Sequence, residues 1–327
     1  MVVTTNSKRV GMKNKALFIG IDIGGTNTVI GLVDANGHFL KQKTFPTRAQ
    51  EPFPLFFRKV EYEIARLTNG QKDELAGIGI GAPSVNNKFG YIDNAKNFTW
   101  GRVDLTRMFS DRFKLPVKLI NDADAAALGE MYFGAARDLK NFIHITLGTG
   151  LGSSIVFNKQ LMAGEYGFAG ELGHTKVDSG NRLCSCGKRG CLETYVSASG
   201  ICRTAFELLS SERFETQLKH YSFDRLTPEI ISELAKQGDT LAIETFKYTG
   251  KVLGQKLADV VALLNPEAIV FSGGLTGAGD FLFKPTKEAM EKNLLQIHKN
   301  TVEIRISDSR INYAVLGSAA LIIKELN

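Results

Sequence analysis

The sequence predicts a duplicated, two-lobe α/β protein. Two strand–glycine turn–strand units stand about 125 residues apart, strands and helical segments alternate after each, and no low-complexity linker separates the halves.

Ala16 to Ile23 is an apolar, β-rich run ending in Asp22-Ile23-Gly24-Gly25-Thr26. Thr28 to Val33 continues as strand, Asn36-Gly37 supplies a hairpin turn, and His38 to Phe45 forms a third strand. A dinucleotide-binding fold needs a helix directly after its glycines, so that fold is excluded. Pro52 to Thr68 carries a helical pattern closed by Asn69-Gly70. Leu75 to Ile80 reads as a strand, Asp104 to Phe113 as a helix stopped before Pro116, and Val117 to Ile120 as another strand. The first third is therefore β-β-β-α-β-α-β.

The pattern then recurs. Asp122 to Phe133 is an alanine-rich helix, and Phe142 to Leu147 is a strand running into Gly148-Thr149-Gly150-Leu151-Gly152. Ser153 to Phe157 returns as a strand with Asn158-Lys159 as its turn. The remainder is more helical: Ser197 to Leu209, Pro228 to Lys236 and Asp239 to Leu264, ended by Pro266. Ala268 to Phe271 is a buried strand leading to Ser272-Gly273-Gly274, and Tyr313 to Leu326 is a final helix. The expected lobes are 1–120 plus 307–327, the smaller, and 121–306, the larger, with the ligand position between them.

Composition narrows the function. Hydrophobic residues make up 43% and charged residues 23% of 327, ordinary for a soluble globular protein. The net charge of +6 comes without any run of five Lys/Arg, which argues against a dedicated nucleic-acid surface. Met1 to Lys15 is polar and basic, and no segment approaches about 18 apolar residues, so an intracellular, cytoplasmic protein with no membrane partner is expected. Cys184, Cys186 and Cys191 lie within eight residues, which in a reducing compartment points to a metal before a disulfide. Cys202 stands apart and is expected to be a buried apolar residue.

Five motifs carry chemistry. In the first, Gly24 and Gly25 let backbone N–H groups approach a phosphate, the Thr26 hydroxyl adds a donor, and Asp22 is placed to hold Mg²⁺ through water. Taken alone it also reads as an ordinary hairpin turn. Gly148, Thr149 and Gly150 repeat the device, and a pair of such turns suits a polyphosphate. Gly273 and Gly274 suit a nucleotide's sugar and base, with a simple tight turn almost as good a reading. In the fourth, Asn121-Asp122 ends a strand and opens a helix; Asp122 is either an N-cap or a general base that takes a proton from a hydroxyl attacking phosphorus. The fifth is the most specific. His174 is followed after nine residues by Cys184-Ser185-Cys186-Gly187 and then Gly190-Cys191-Leu192-Glu193. One histidine and three cysteines fill a tetrahedral zinc site, leaving no open position, so the metal is structural. It pins the loop carrying Glu171 and Glu193, carboxylates able to bind hydroxyl groups, and His174 has a second ring nitrogen for the same purpose.

These motifs resemble the ROK family of sugar kinases and sugar-responsive repressors from about Leu17 to the C-terminus. The resemblance rests above all on Glu-x-x-His at Glu171 to His174 and Cys-x-Cys-Gly-x-x-Gly-Cys-x-Glu at Cys184 to Glu193. It implies an actin-like ATPase, ribonuclease-H-like two-lobe fold, ATP and Mg²⁺ as cofactors, and phosphorylation of a hexose hydroxyl, glucose O6 first, with Asp122 as base. It implies that Asn97, Asn121, Glu171, His174 and Glu193 bind the sugar and that His174, Cys184, Cys186 and Cys191 bind zinc. Fructose, mannose, allose or an N-acetylhexosamine is an alternative acceptor, and a homodimer or tetramer is implied. Repressor members carry a winged-helix segment first; only 21 residues precede Asp22, so a kinase is expected rather than a regulator. Two positions depart from the family pattern. Pro83-Ser84 replaces Pro-Gly, a change expected to bear on sugar preference. Ser153-Ser154 replaces Gly or Ala after the second glycine turn, a change expected to bear on phosphate packing.

Overall fold

The computed structural model describes residues 16–69, 72–86, 89–93, 98–177, 181–210 and 215–326. In chain order the strands and helices are β1 (Leu17–Ile23), β2 (Asn27–Asp34), β3 (Phe39–Pro46), α1 (Phe53–Thr68), β4 (Leu75–Ala82), β5 (Val85–Asn86), β6 (Tyr91–Ile92), α2 (Leu105–Phe113), β7 (Val117–Asn121), α3 (Asp122–Phe133), β8 (Phe142–Leu147), β9 (Leu151–Phe157), β10 (Gln160–Leu161), α4 (Glu193–Val196), α5 (Ala198–Leu209), α6 (Pro228–Lys236), α7 (Thr240–Leu264), β11 (Ala268–Ser272), α8 (Asp280–Asn293), β12 (Glu303–Ile306) and α9 (Tyr313–Leu326).

The chain folds as two compact units, one running to Phe133 and resuming at Asn312, the other spanning Gly134–Ile311. The break therefore falls after α3, not at the expected 120/121, because α3 packs along α9. Each unit is built on one five-stranded sheet. Their orders, β3-β2-β1-β4-β7 and β10-β9-β8-β11-β12, are the same permutation. In both, the first three strands pair antiparallel and the last three parallel. The repeated pattern seen in the sequence is thus a repeated topology.

In the first unit, β1 is buried on both faces, as a central strand must be. Leu17, Ile19, Ile21 and Ile23 join a core with Phe56, Val60 and Ile64 of α1 and Phe109 of α2. The alternate face packs Phe18 against Tyr313, Leu316, Ala319 and Ile322 of α9. Gly20 and Gly79, partners across β1 and β4, lie directly beneath that helix. A Cβ at Gly79 would stand 1.7 Å from the Ser318 carbonyl oxygen, and one at Gly20 2.1 Å from that of Val315. The close approach is what the glycines permit.

In the second unit, Ile143, Ile145 and Leu147 of β8 join a core with Ile201 of α5, Ile231 of α6, Phe246 and Leu257 of α7 and Leu282 of α8. Helix α7 is capped by Asp239, whose side chain accepts from the Ala242 N–H. Among the described residues no helix is long and apolar enough to cross a membrane.

Candidate active site

Topology gathers the first group of site residues. Asp22 pairs with Gly81 and Asn121 with Ala82, so the carboxyl ends of parallel strands β1, β4 and β7 present Asp22 and Asn121-Asp122 on one edge of the sheet. The Asn121 side-chain oxygen accepts from the Ala123 N–H at 2.9 Å, and one Asp122 oxygen accepts from the same N–H at 2.9 Å. Asn121 thus caps α3 and fixes Asp122 in its first turn. Asp22 is half-buried, and its desolvation together with the charge of Asp122 raises its carboxyl pKa to about 6 against a hydrogen bond from Asn312. That bond runs from Asn312 Nδ2 to Asp22 Oδ2 at 3.3 Å, while Asn312 Oδ1 accepts from Val315 N–H at 3.0 Å. Asn312, which the sequence did not single out, therefore starts α9 and orients Asp22 with the two ends of one amide.

The first glycine turn is an exposed loop braced from outside. Thr47 donates its hydroxyl to the Gly24 carbonyl at 2.7 Å and its N–H to the Thr26 carbonyl at 2.9 Å. Gly24 is half-buried, Gly25 and Thr26 are exposed, and nothing stands within 4 Å of a Cβ built on Gly25, so the loop's outer face is open. Asn97 lies outside the described residues. Its neighbour Trp100 is buried between Phe53 and Phe56, and its indole N–H donates to the Glu51 carbonyl at 2.9 Å. Ser84, the first departure, has φ 53, the left-handed region that glycine occupies without cost.

In the second unit, the turn at Gly148 to Gly150 is closed by Gly148 N–H to the Gly150 carbonyl at 3.0 Å. Glu193 reaches this turn: its Oε2 accepts from Leu151 N–H at 3.0 Å. The same oxygen lies 2.6 Å from where a Gly150 Cβ would stand. Gly273, at φ 93, lies so close to β8 that a Cβ would meet the Leu147 carbonyl oxygen at 2.2 Å. Before it, Ser272 joins Thr146 at 3.1 Å and the buried His144 through Nε2 at 3.0 Å, a part-buried chain of hydrogen bonds that the sequence did not reveal.

The histidine and three cysteines do come together. The ligand atoms of His174, Cys184, Cys186 and Cys191 lie within 4.8 Å of one another. Cys186 and Cys191 sulfurs are 3.6 Å apart, and Cys184 Sγ is 3.7 Å from His174 Nδ1. A tetrahedral zinc with sulfur ligands at about 2.3 Å has edges of about 3.8 Å, so donor set and spacing fit that ion. The other ring nitrogen of His174 is 3.9 Å from Glu171, whose side chain is 63% exposed. The loop is tied down by Arg182, a buried guanidinium that donates to the Thr194 and Gly200 carbonyls, pairs with Glu207 and stacks on Tyr195.

The chain is 36% identical over 318 residues to a glucokinase of Halalkalibacterium halodurans, covering 95% of this chain and 96% of that one. A crystal structure of a ROK family glucokinase from Streptomyces griseus, in complex with glucose and AMPPNP, superposes with TM-score 0.80 at 31% identity, covering 94% of this chain and 99% of that one. A putative xylose repressor of Caldicellulosiruptor sp. is 29% identical over 319 residues, 96% of this chain and 80% of the repressor. The two-sheet arrangement is the actin-like ATPase fold of these sugar kinases. The ROK family profile matches residues 18–325, which takes in both sheets, the glycine turns and the cysteine loop: the chain belongs to the ROK family.

Proposed function

We propose that the protein is an ATP-dependent hexose kinase that moves the γ-phosphate of ATP to a sugar hydroxyl, O6 of glucose first, with Asp122 as general base. The observation that carries this reading is the sheet end that holds Asp122 and a second half-buried carboxylate, Asp22, at the ends of strands either side of β4. Asp122 takes the proton from the attacking hydroxyl, the freed oxygen bonds to phosphorus in line, and ADP leaves with the electron pair of the broken P–O bond. Gly24, Gly25, Thr26, Gly148, Thr149 and Gly150 bind phosphate through their N–H and hydroxyl groups, and Gly273-Gly274 binds the adenosine end. Two carboxylates at the same end of one sheet, near enough that the charge of Asp122 acts on Asp22, suit a hard, oxygen-seeking cation. Mg²⁺ held there by Asp22 through water would neutralise phosphate charge.

Sugar hydroxyls are bound by Asn97, Asn121, Glu171, His174 and Glu193. Glu193 also holds the second glycine turn by its bond to Leu151. Zinc on His174, Cys184, Cys186 and Cys191 is structural, since four protein ligands leave no place for substrate. The reduced cysteine cluster suits a cytoplasmic enzyme, and a homodimer or tetramer is the assembly proposed.

Replacing Asp122 by Asn tests the base. Turnover in a coupled ADP-release assay is expected to fall at least about a hundredfold, with glucose affinity by calorimetry changed less than about threefold. Undiminished turnover refutes the assignment. The repressor relative supports a second reading, a sugar-responsive DNA-binding regulator. Tight sequence-specific retention of DNA at physiological salt, together with no ADP release against a panel of hexoses, would favour it.

A further inference from the structure

Ser153 is one of the two residues where this chain departs from the family pattern after the second glycine turn. Its side chain does not face the phosphate loop. The Ser153 hydroxyl donates to the Gly170 carbonyl and accepts from the Leu172 N–H at 3.2 Å, so it bonds the backbone on both sides of Glu171. The Leu172 N–H also points at the Gly170 carbonyl at 2.7 Å, closing a three-centre arrangement around one hydroxyl. The backbones are pressed together here. A Cβ at Gly170 would stand 2.7 Å from the Ser153 carbonyl oxygen, and one at Gly173 2.7 Å from that of Leu151. Gly170 has φ 92, a conformation that a side chain would strain. The segment 170–173 is thus laid on strand β9, with Glu171 between its two fastenings and its carboxylate turned outward beside His174.

We infer that Ser153 is a positioning residue for the sugar-binding carboxylate. Its hydroxyl fixes the peptide planes flanking Glu171, and so the direction in which Glu171 meets a sugar hydroxyl. The inference rests on the proposed role of Glu171 in sugar binding. The departure at 153 then acts on the sugar side of the reaction, and not on phosphate packing as its place in the sequence implied. A positioning group of this kind contributes through geometry, because a carboxylate held in one orientation loses less freedom when the sugar binds.

Ser153→Ala, Glu171→Ala and the double variant, assayed with glucose and ATP varied separately, test it. Ser153→Ala is expected to raise the KM for glucose about fivefold, the scale of a lost hydrogen bond, with the KM for ATP and kcat unchanged. In the Glu171→Ala background the same substitution is expected to have no further effect on the glucose KM. An unchanged glucose KM in Ser153→Ala, while Glu171→Ala raises it, overturns the inference and leaves the role of Glu171 standing. Equal changes in both substrates' KM, a change confined to kcat, or full additivity in the double variant also overturns it. If Glu171→Ala leaves the glucose KM unchanged, the sugar-binding role of Glu171 fails and the inference falls with it.

Discussion

Asn312 and His144 show what a single side chain can do far from its neighbours in sequence. Asn312 is 290 residues from Asp22, so no local pattern could have paired them; only the return of α9 to the first sheet does. The place of Asp122, by contrast, was legible, because a strand ending in Asn-Asp before an alanine-rich helix sets where it stands. His144 is a plain β-strand residue in the sequence and a buried imidazole in the fold, where burial pushes its pKa down to about 4. Nε2 bonds Ser272, and Nδ1 has no hydrogen-bond partner among the described residues. Its native form resists protonation, whereas an unfolded histidine takes its proton near pH 6.5. The unfolded state therefore binds more protons between about pH 4 and 6.5, and stability is lost as pH falls through that window. A gap of this size corresponds to on the order of 3 kcal/mol. Urea unfolding at pH 7.5 and 5 measures it. His144→Gln is expected to flatten the pH dependence, and an equal slope in the variant would remove His144 as its source.

The elements most legible in the sequence were those with strong punctuation. Asn36-Gly37 fixed the β2–β3 hairpin, and Asn69 and Asn265, both left-handed, end α1 and α7 where expected. Helix α8 was missed because Pro285 lies inside it, and an interior proline ordinarily breaks a helix. It is accommodated against Gly250 of α7, where a Cβ would come within 2.8 Å of the proline ring. Strand β12 is an edge strand of four residues, Glu303-Ile304-Arg305-Ile306, and its polar–apolar alternation is too short to announce it. The cysteine loop was legible from spacing alone, but Arg182, which fastens it to α5, was not. This loop has two isolated bridges and little apolar packing of its own, so bound metal should supply much of its order. Cys186→Ser is expected to lower zinc content from about one per chain to near zero and Tm by about 5 °C or more. A wild-type protein purified without chelator that contains no zinc would refute the assignment.

At the scale of the molecule, two glycine turns in the sequence pointed to duplication, but the shared strand permutation became visible only in the fold, since strand order depends on pairings between distant segments. The unit boundary was displaced for the same reason: α3 reads as the start of the second half, yet packs with α9 in the first. The second unit is continuous in sequence, with a hydrophobic core drawn entirely from its own residues. A chain ending at residue 311 is expected to lose the first unit's structure while retaining a protease-resistant fragment of about 134–311. Survival of a resistant fragment starting near residue 16 would contradict this.

The late helix also has a consequence in time. On the ribosome, β1 emerges early, but the apolar face that includes Phe18 stays uncovered until Ile322 and Ile323 have been made. The second unit, synthesised in between, has all its parts sooner, so it is expected to finish folding before the first, against the usual N-to-C order. All five strands of the first sheet are made by Asn121, so the nascent protein is expected to carry that sheet without the cover of α9 for most of its translation.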